Sequence, residues 1–350
     1  MSVKQEFFGK LPDGRDTTLF FLINRNGVKV KVTDYGAIIT AIEMPDKKGT
    51  DENIVCGFDK LEDYLSEAYL SNYPYFGSII GRFGNRIAKG HLEIEGKSYP
   101  LAVNNGPNHL HGGNTGFDKR LWDARIIKKE DASGIEFSYF SPHLEEMYPG
   151  NLKVKCIYLL TDANELVMEY FAETDQTTVV NLTNHTYFNL NGGKENILNH
   201  ELKLFASKMT EMNNQIPTGR ILSTVETAYD FSDFKTIKHD MKELNYGYDD
   251  NFVLDNEAGE LKPACVLRER SSGRLVEIST TQPGIQLYTG YWIPELEIDG
   301  KKKFGPFSGI ALETQHYPDS VHHPHFPSVM LTPGKVYHEV TVCRFSVIKE

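Results

Sequence analysis

Cysteine is scarce in this 350-residue chain: Cys56, Cys156, Cys265 and Cys343 stand far apart and form no Cys-x-x-Cys pair. Zinc ribbons and thioredoxin-like redox motifs depend on that spacing, so neither is indicated, and the four are read as free, buried thiols. Missing too is any run of about eighteen apolar residues that could span a bilayer. The opening MSVKQEFFGKLPDGRD has neither a long apolar core nor a small-residue cleavage site. A cytoplasmic protein is expected. In that compartment the two glycosylation-type triplets, Asn181-Leu182-Thr183 and Asn184-His185-Thr186, carry no meaning.

Positive charge is also in short supply. With 37 Lys and Arg against 48 Asp and Glu the formal net charge is -11, and no dense basic run overrides it locally. Phosphate backbones and anionic headgroups are repelled by such a chain, so neither nucleic acid nor membrane is expected as a partner. There is no Pro/Ser-rich linker, no low-complexity tract and no repeat of fixed period, which leaves one domain over residues 1–350 as the expectation. An all-β core can occupy a chain of this size. Amphipathic helices of about ten to fifteen residues do not alternate with the strands, which argues against a parallel doubly wound sheet. The segment Gly81–Gly84 lacks the third glycine and the strand–turn–helix context of a dinucleotide fingerprint.

What is present is period-two alternation. Thr18 to Ile23, a turn at Asn26-Gly27 and Val28 to Val32 read as a hairpin. His91 to Ile94 before Gly96, Glu165 to Glu173, the flanks of Ser272-Gly273 and Lys335 to Ile348 read as further strands. The fold class expected is all-β, a large antiparallel β-sandwich. One short helix is predicted where Leu61, Tyr64, Leu65 and Ala68 share a face, with Asp59 and Glu62 as a capping box.

Five segments are too polar and too aromatic for ordinary strand faces: 81–86, 108–113, 181–189, 248–252 and 312–318. Sugars need such surfaces, because their hydroxyls require directional donors and acceptors while their C–H faces stack on apolar or aromatic groups. His185 lies among three Asn and two Thr. It could exchange protons near neutrality, or sit in a polar turn whose side chains cap local backbone. Glu313 follows the apolar run Gly309 to Leu312, where a carboxylate is costly. It is either a general base with a raised pKa or half of a structural ion pair. The pair His109-x-His111 has a metal-binding rival reading, as do His316, His322, His323 and His325. No fixed carboxylate or cysteine spacing supports a defined site, and the 322–325 run reads as a solvated loop. Gly112-Gly113 would permit close backbone approach by a ligand.

In this order, GRFGNRI at 81–87, NHLHGG at 108–113 with GFDKRLWDA at 116–124, NLTNHTYFNLNG at 181–192, GYDDNFVL at 247–254, QPGIQLYTG at 282–290 and LETQHYPDSVHHPHFPS at 312–328 closely resemble the aldose 1-epimerase family, the galactose mutarotases in particular. The resemblance covers almost the whole chain. It implies a large β-sandwich with an open cleft, His185 as catalytic acid and Glu313 as catalytic base. Arg86, His111 and Asp249 are implied to grip the sugar, with Asn85, Gln286 and Tyr187 as further contacts. Asp250 and the 322–325 histidines depart from the family pattern. The implied reaction interconverts the α and β anomers of hexoses such as galactose and glucose. Glu313 takes the anomeric hydroxyl proton, His185 delivers one to the ring oxygen, and the open aldehyde turns before reclosing. No cofactor and no metal are expected. The expected partner is the hexose alone, with the protein a monomer or weak dimer. Competing readings are a glycosidase using Asp249 and Glu313, a non-catalytic sugar-binding module on the same scaffold, and a hexose-6-phosphate epimerase, which would need more arginine than Arg86.

Overall fold

A computed structural model describes residues 2–255, 259–298 and 301–348. The predicted hairpins form where the alternation puts them. Asp16–Ile23 pairs with Lys29–Thr33, His91–Ile94 with Lys97–Pro100, and Lys262–Arg268 with Arg274–Thr280. Three antiparallel sheets organise the described chain. A five-stranded sheet runs in chain order from Ser2–Lys10 to Asp51–Asn53, and a nine-stranded sheet from Asp123–Lys128 to Lys235–Thr236. The third has six strands in the order Tyr187–Phe188, Ile310–Gln315, Gly284–Tyr288, Asp249–Val253, Lys208–Asn213, Ile216–Ser223.

The main core is where these sheets meet. Phe20 and Val30 from the first, Phe137, Tyr158, Met168 and Ile278 from the second, and Phe252, Ile285, Leu287 and Leu312 from the third belong to one buried cluster. Along Glu165–Thr174, Leu166, Met168, Tyr170 and Ala172 are buried while the residues between them are more exposed, as a strand with one solvated face requires. No described helix is long and apolar enough to cross a membrane.

Two expectations fail locally. The single helix is two four-residue turns, Leu61–Tyr64 and Glu67–Leu70. The proposed capping box does not form, because the first turn begins after Lys60 with no side-chain cap, and it is Ser66 that accepts from the Tyr69 N–H. Hydrophobic spacing over 61–68 marked Leu61 and Tyr64 as buried, but Leu65 is only half-buried, Ala68 is exposed, and after the break at Leu65–Ser66 it is Tyr69 that turns inward. All four cysteines are free and buried, as read from their spacing.

Candidate active site

The six-stranded sheet sorts its side chains by parity, and that sorting builds the site. Ile285 and Leu287 enter the core, so Gln286 and Tyr288 between and beyond them face the other way. Ile310 and Leu312 likewise point inward, which turns Glu313 outward beside Gln286, its direct cross-strand partner. On the next strand Phe252 is in the core and Asp249 lies on the same face as Gln286, opposite Tyr288. Glu313 is thus inside the strand Ile310–Gln315 rather than at its end. A carboxylate was expected to arrive as the apolar run stopped, but the strand continues and only its faces alternate.

His185 comes from a short crossing segment between Thr183–Asn184 and Tyr187–Phe188. Its N–H donates to the Ser78 carbonyl at 2.9 Å and its carbonyl accepts from the Gly77 N–H at 3.0 Å. Held this way, its Nε2 stands 3.6 Å from Glu313 Oε1. Tyr75 stacks on the imidazole with ring centroids 5.8 Å apart, Tyr187 lies at 4.9 Å and His111 at 5.3 Å. The residues enclose a cavity of about 370 Å³ lined by Asn85, Arg86, His111, His185, Tyr187, Asp249 and Glu313, together with Tyr75, Asn105, Gln215, Tyr288 and Trp292.

Seven of the eight side chains singled out in the sequence therefore line one cavity. Gln286 does not; it is buried, and its Nε2 donates to Asp249 Oδ1 at 2.8 Å, orienting that carboxylate from behind. Arg86 is aimed by Asn105, which accepts from its Nε at 3.0 Å. The other arginine of the same motif, Arg82, is structural, its guanidinium filled by Ser141 and the carbonyls of Pro142, Pro149 and Gly150. The two histidines of the H-x-H motif diverge. His109 is in the interior between the Ala102 carbonyl and the Tyr148 hydroxyl, and only His111 reaches the cavity. Nor do the glycines beside it admit a ligand. A Cβ on Gly112 would lie 1.8 Å from the Gly81 carbonyl oxygen, so the close approach is of the chain to itself.

Burial sets the electrostatics. It pushes the Glu313 carboxyl well above the usual carboxylate range, a shift that the Asp249 charge reinforces and Arg86 opposes. The same desolvation pushes His185 down to about 3 and His111 well below its ordinary value. Charge is disfavoured on both members of the His185–Glu313 pair. A proton moved from Glu313 to His185 would make a base and an acid at once without changing the net charge. His185 Nδ1, Glu313 Oε2 and Gln286 Oε1 are buried with no hydrogen-bond partner among the described residues. Such atoms are normally satisfied, and a hydroxylated ligand could satisfy those that reach the cavity.

The sharper metal candidate is not a sequence motif but a spatial one. His111, His185 and Glu313 bring ligand-type atoms within 4.8 Å of one another. Two imidazoles and a carboxylate are a donor set that suits a divalent ion. The tautomer of His111 does not fit, however. The Asn85 N–H donates to His111 Nδ1 at 3.1 Å, which puts the proton of the neutral ring on Nε2. One nitrogen is occupied and the other is a donor, so His111 offers a ligand hydroxyl an N–H and offers a metal nothing.

Comparison with known proteins agrees over the full length. The aldose 1-epimerase family profile matches residues 18–344. The galactose mutarotases of Bos taurus and Homo sapiens are 44% and 41% identical, each over 99% of both chains. Aldose 1-epimerase of Escherichia coli K12 is 32% identical over 95% of this chain and 96% of its own. The crystal structure of galactose 1-epimerase from Lactobacillus acidophilus superposes with a TM-score of 0.86 at 27% identity, covering 99% of each chain. With likeness from end to end, the chain belongs to the aldose 1-epimerase family, isomerases that interconvert the α and β anomers of a sugar.

Proposed function

We propose that the cavity takes a free hexose such as galactose or glucose, and that Glu313 and His185 divide the proton transfers between them. The observation that carries this is the 3.6 Å approach of His185 Nε2 to Glu313 Oε1 inside a buried cavity. Opening the hemiacetal requires one proton to leave the anomeric hydroxyl and one to reach the ring oxygen. Glu313 as carboxylate does the first, and His185 as imidazolium the second. Rotation of the aldehyde carbon presents its other face, and reclosure runs the same transfers backwards. Neither redox equivalents nor a leaving group take part, so a pair holding one proton returns to its starting state each turnover. Each positioned acid or base contributes typically about 10²–10⁴-fold, which is sufficient for a reaction that also proceeds in water.

Around the pair, Arg86, the His111 Nε2–H and Asp249 supply two donors and an acceptor for sugar hydroxyls, while Tyr187 and Tyr75 supply faces for its C–H groups. Asn85 serves mainly through its backbone, which fixes the His111 tautomer, and its Oδ1 accepts from the Arg86 N–H at 2.9 Å. The chain acts in the cytoplasm as a monomer or weak dimer, in keeping with a net charge of -11 that sets copies against one another. Polarimetry on freshly dissolved α-galactose tests the assignment. Glu313→Gln and His185→Asn should each lose at least about a hundredfold in rate while melting like the parent. A Glu313→Gln enzyme as fast as the parent would sink it.

A further inference from the structure

The histidine run after Glu313 takes no part in these proton transfers, yet it is tied down at both ends. At Asp319 the chain turns with a left-handed backbone, φ 55°. The Asp319 N–H donates to the Arg86 carbonyl at 2.8 Å, and its Oδ1 accepts from the Ala88 N–H at 2.8 Å and from His322 Nδ1 at 2.7 Å. The next histidines reach a different element, the hairpin of Lys208–Asn213 and Ile216–Ser223. His323 Nε2 donates to the Pro217 carbonyl at 3.2 Å while standing 3.6 Å from Asp319 Oδ2, and His325 Nε2 donates to the Gly219 carbonyl at 2.7 Å. Both rings pack on buried Phe326, with centroids 4.8 Å away in each case. The hairpin is shaped to receive them. Gly219 has φ 91°, and a Cβ there would come within 2.9 Å of His323 Nδ1.

This run was read from sequence as a solvated loop, and the exposed position of His325 agrees in part. What the contacts hold is the hairpin tip. Asn214 and Gln215 sit there at φ 48° and 65°, the left-handed pair that a tight two-residue hairpin turn requires and that strains a residue such as glutamine. Gln215 is exposed and lines the mouth of the active cavity, with Trp292 also at that mouth. Its amide offers both donors and an acceptor.

We propose that Asp319, His323 and His325 form a brace that fixes the hairpin against the exit of the catalytic strand, and that Gln215, so held, is a specificity-determining contact to a sugar hydroxyl remote from the anomeric carbon. The remoteness follows from depth: the acid/base pair is buried at the floor, whereas Gln215 is at the mouth. This rests on the hexose reading of the cavity. Gln215→Ala should raise KM about 3–10-fold with kcat within about twofold, the signature of a lost neutral hydrogen bond to a bound hydroxyl. It should also change the galactose-to-glucose ratio of kcat/KM by about threefold or more. The double variant His323→Ala/His325→Ala should reproduce that shift, and adding it to Gln215→Ala should bring no further rise, because the histidines act through Gln215. Parental KM and parental sugar ratio in Gln215→Ala would overturn the proposal, as would histidine variants that lose kcat at parental KM. Gln215 is an exposed tip residue, so its variant decides the matter even if the histidine variants fail to fold. Glu313→Gln, run alongside, separates the two readings: if it is inactive while Gln215→Ala is parental, the brace fails and the hexose site stands.

Discussion

Asp249 is the acid whose replacement should be most informative, because its charge acts on the proposed proton-transfer pair without belonging to it. Its Oδ1 is held by Gln286, the residue directly across from Glu313, so the two carboxylates stand two strands apart on one sheet face. Two strands at about 4.8 Å each, with a two-residue offset along them at about 3.4 Å each, put the two backbones roughly 12 Å apart. With an effective dielectric constant of about 20, two unit charges at that distance interact by about 1.4 kcal/mol, or about one pH unit. Asp249→Asn keeps an oxygen for Gln286 and removes only the charge. A nearby negative charge raises the affinity of the His185–Glu313 pair for its proton, whichever member carries it. Removing the charge therefore moves the alkaline limb of kcat/KM to lower pH by about one unit. The assay is polarimetric mutarotation across pH, with the uncatalysed rate subtracted at each point. A variant with raised KM but an unmoved alkaline limb would refute the electrostatic coupling and leave Asp249 only a hydroxyl acceptor.

Three more outcomes are expected. Because His185 and Glu313 act as a unit in the proposed mechanism, the double variant His185→Asn/Glu313→Gln should be no more than a few-fold slower than the worse single variant; fully multiplicative losses in polarimetry would contradict this. Asp250, on the opposite face from Asp249, is pushed up to about 7, first by burial and then by Asp249. Its raised folded-state pKa means that stability falls as pH rises from about 4 to 7 and is flat above. Asp250→Asn should therefore gain about 2–4 kcal/mol in chemical denaturation at pH 8 and almost nothing at pH 4, and equal gains at both would count against it. Finally, since the Asn85 N–H holds His111 Nδ1, dialysis against a chelator should leave the rate unchanged; loss of activity that zinc restores would overturn the tautomer assignment.

How much of this was legible in the sequence depended on range. Alternation and glycine turns are local, and the hairpins Asp16–Ile23/Lys29–Thr33, around Asn26-Gly27, and Lys262–Arg268/Arg274–Thr280, around Ser272-Gly273, followed from them. The face on which Asp249, Gln286 and Glu313 converge is set by register between strands distant in the chain, which periodicity alone does not encode. Residue chemistry left His185 and Glu313 open between site and structure, and the ordered motifs of the family resemblance decided for them. Tyr75, Asn105 and Trp292 lie outside the recognised motifs and carry no periodic signal, while Tyr288 lay inside QPGIQLYTG but went unassigned. The divergence of His109 and His111 needed the left-handed backbone at His111, φ 51°, which no pattern of residue types announces. Asp250 stood out by identity, and its opposite facing explains why it leaves the cavity untouched.

The central claim concerns which atom each member of the pair serves, and a crystal structure of the Glu313→Gln enzyme with bound galactose tests it most directly. The account predicts the residue 313 side chain about 2.6–3.2 Å from the anomeric hydroxyl and a His185 ring nitrogen at a similar distance from the ring oxygen. A sugar bound with its anomeric carbon at the Trp292 mouth, or with His185 facing the anomeric hydroxyl and residue 313 facing the ring oxygen, would contradict it.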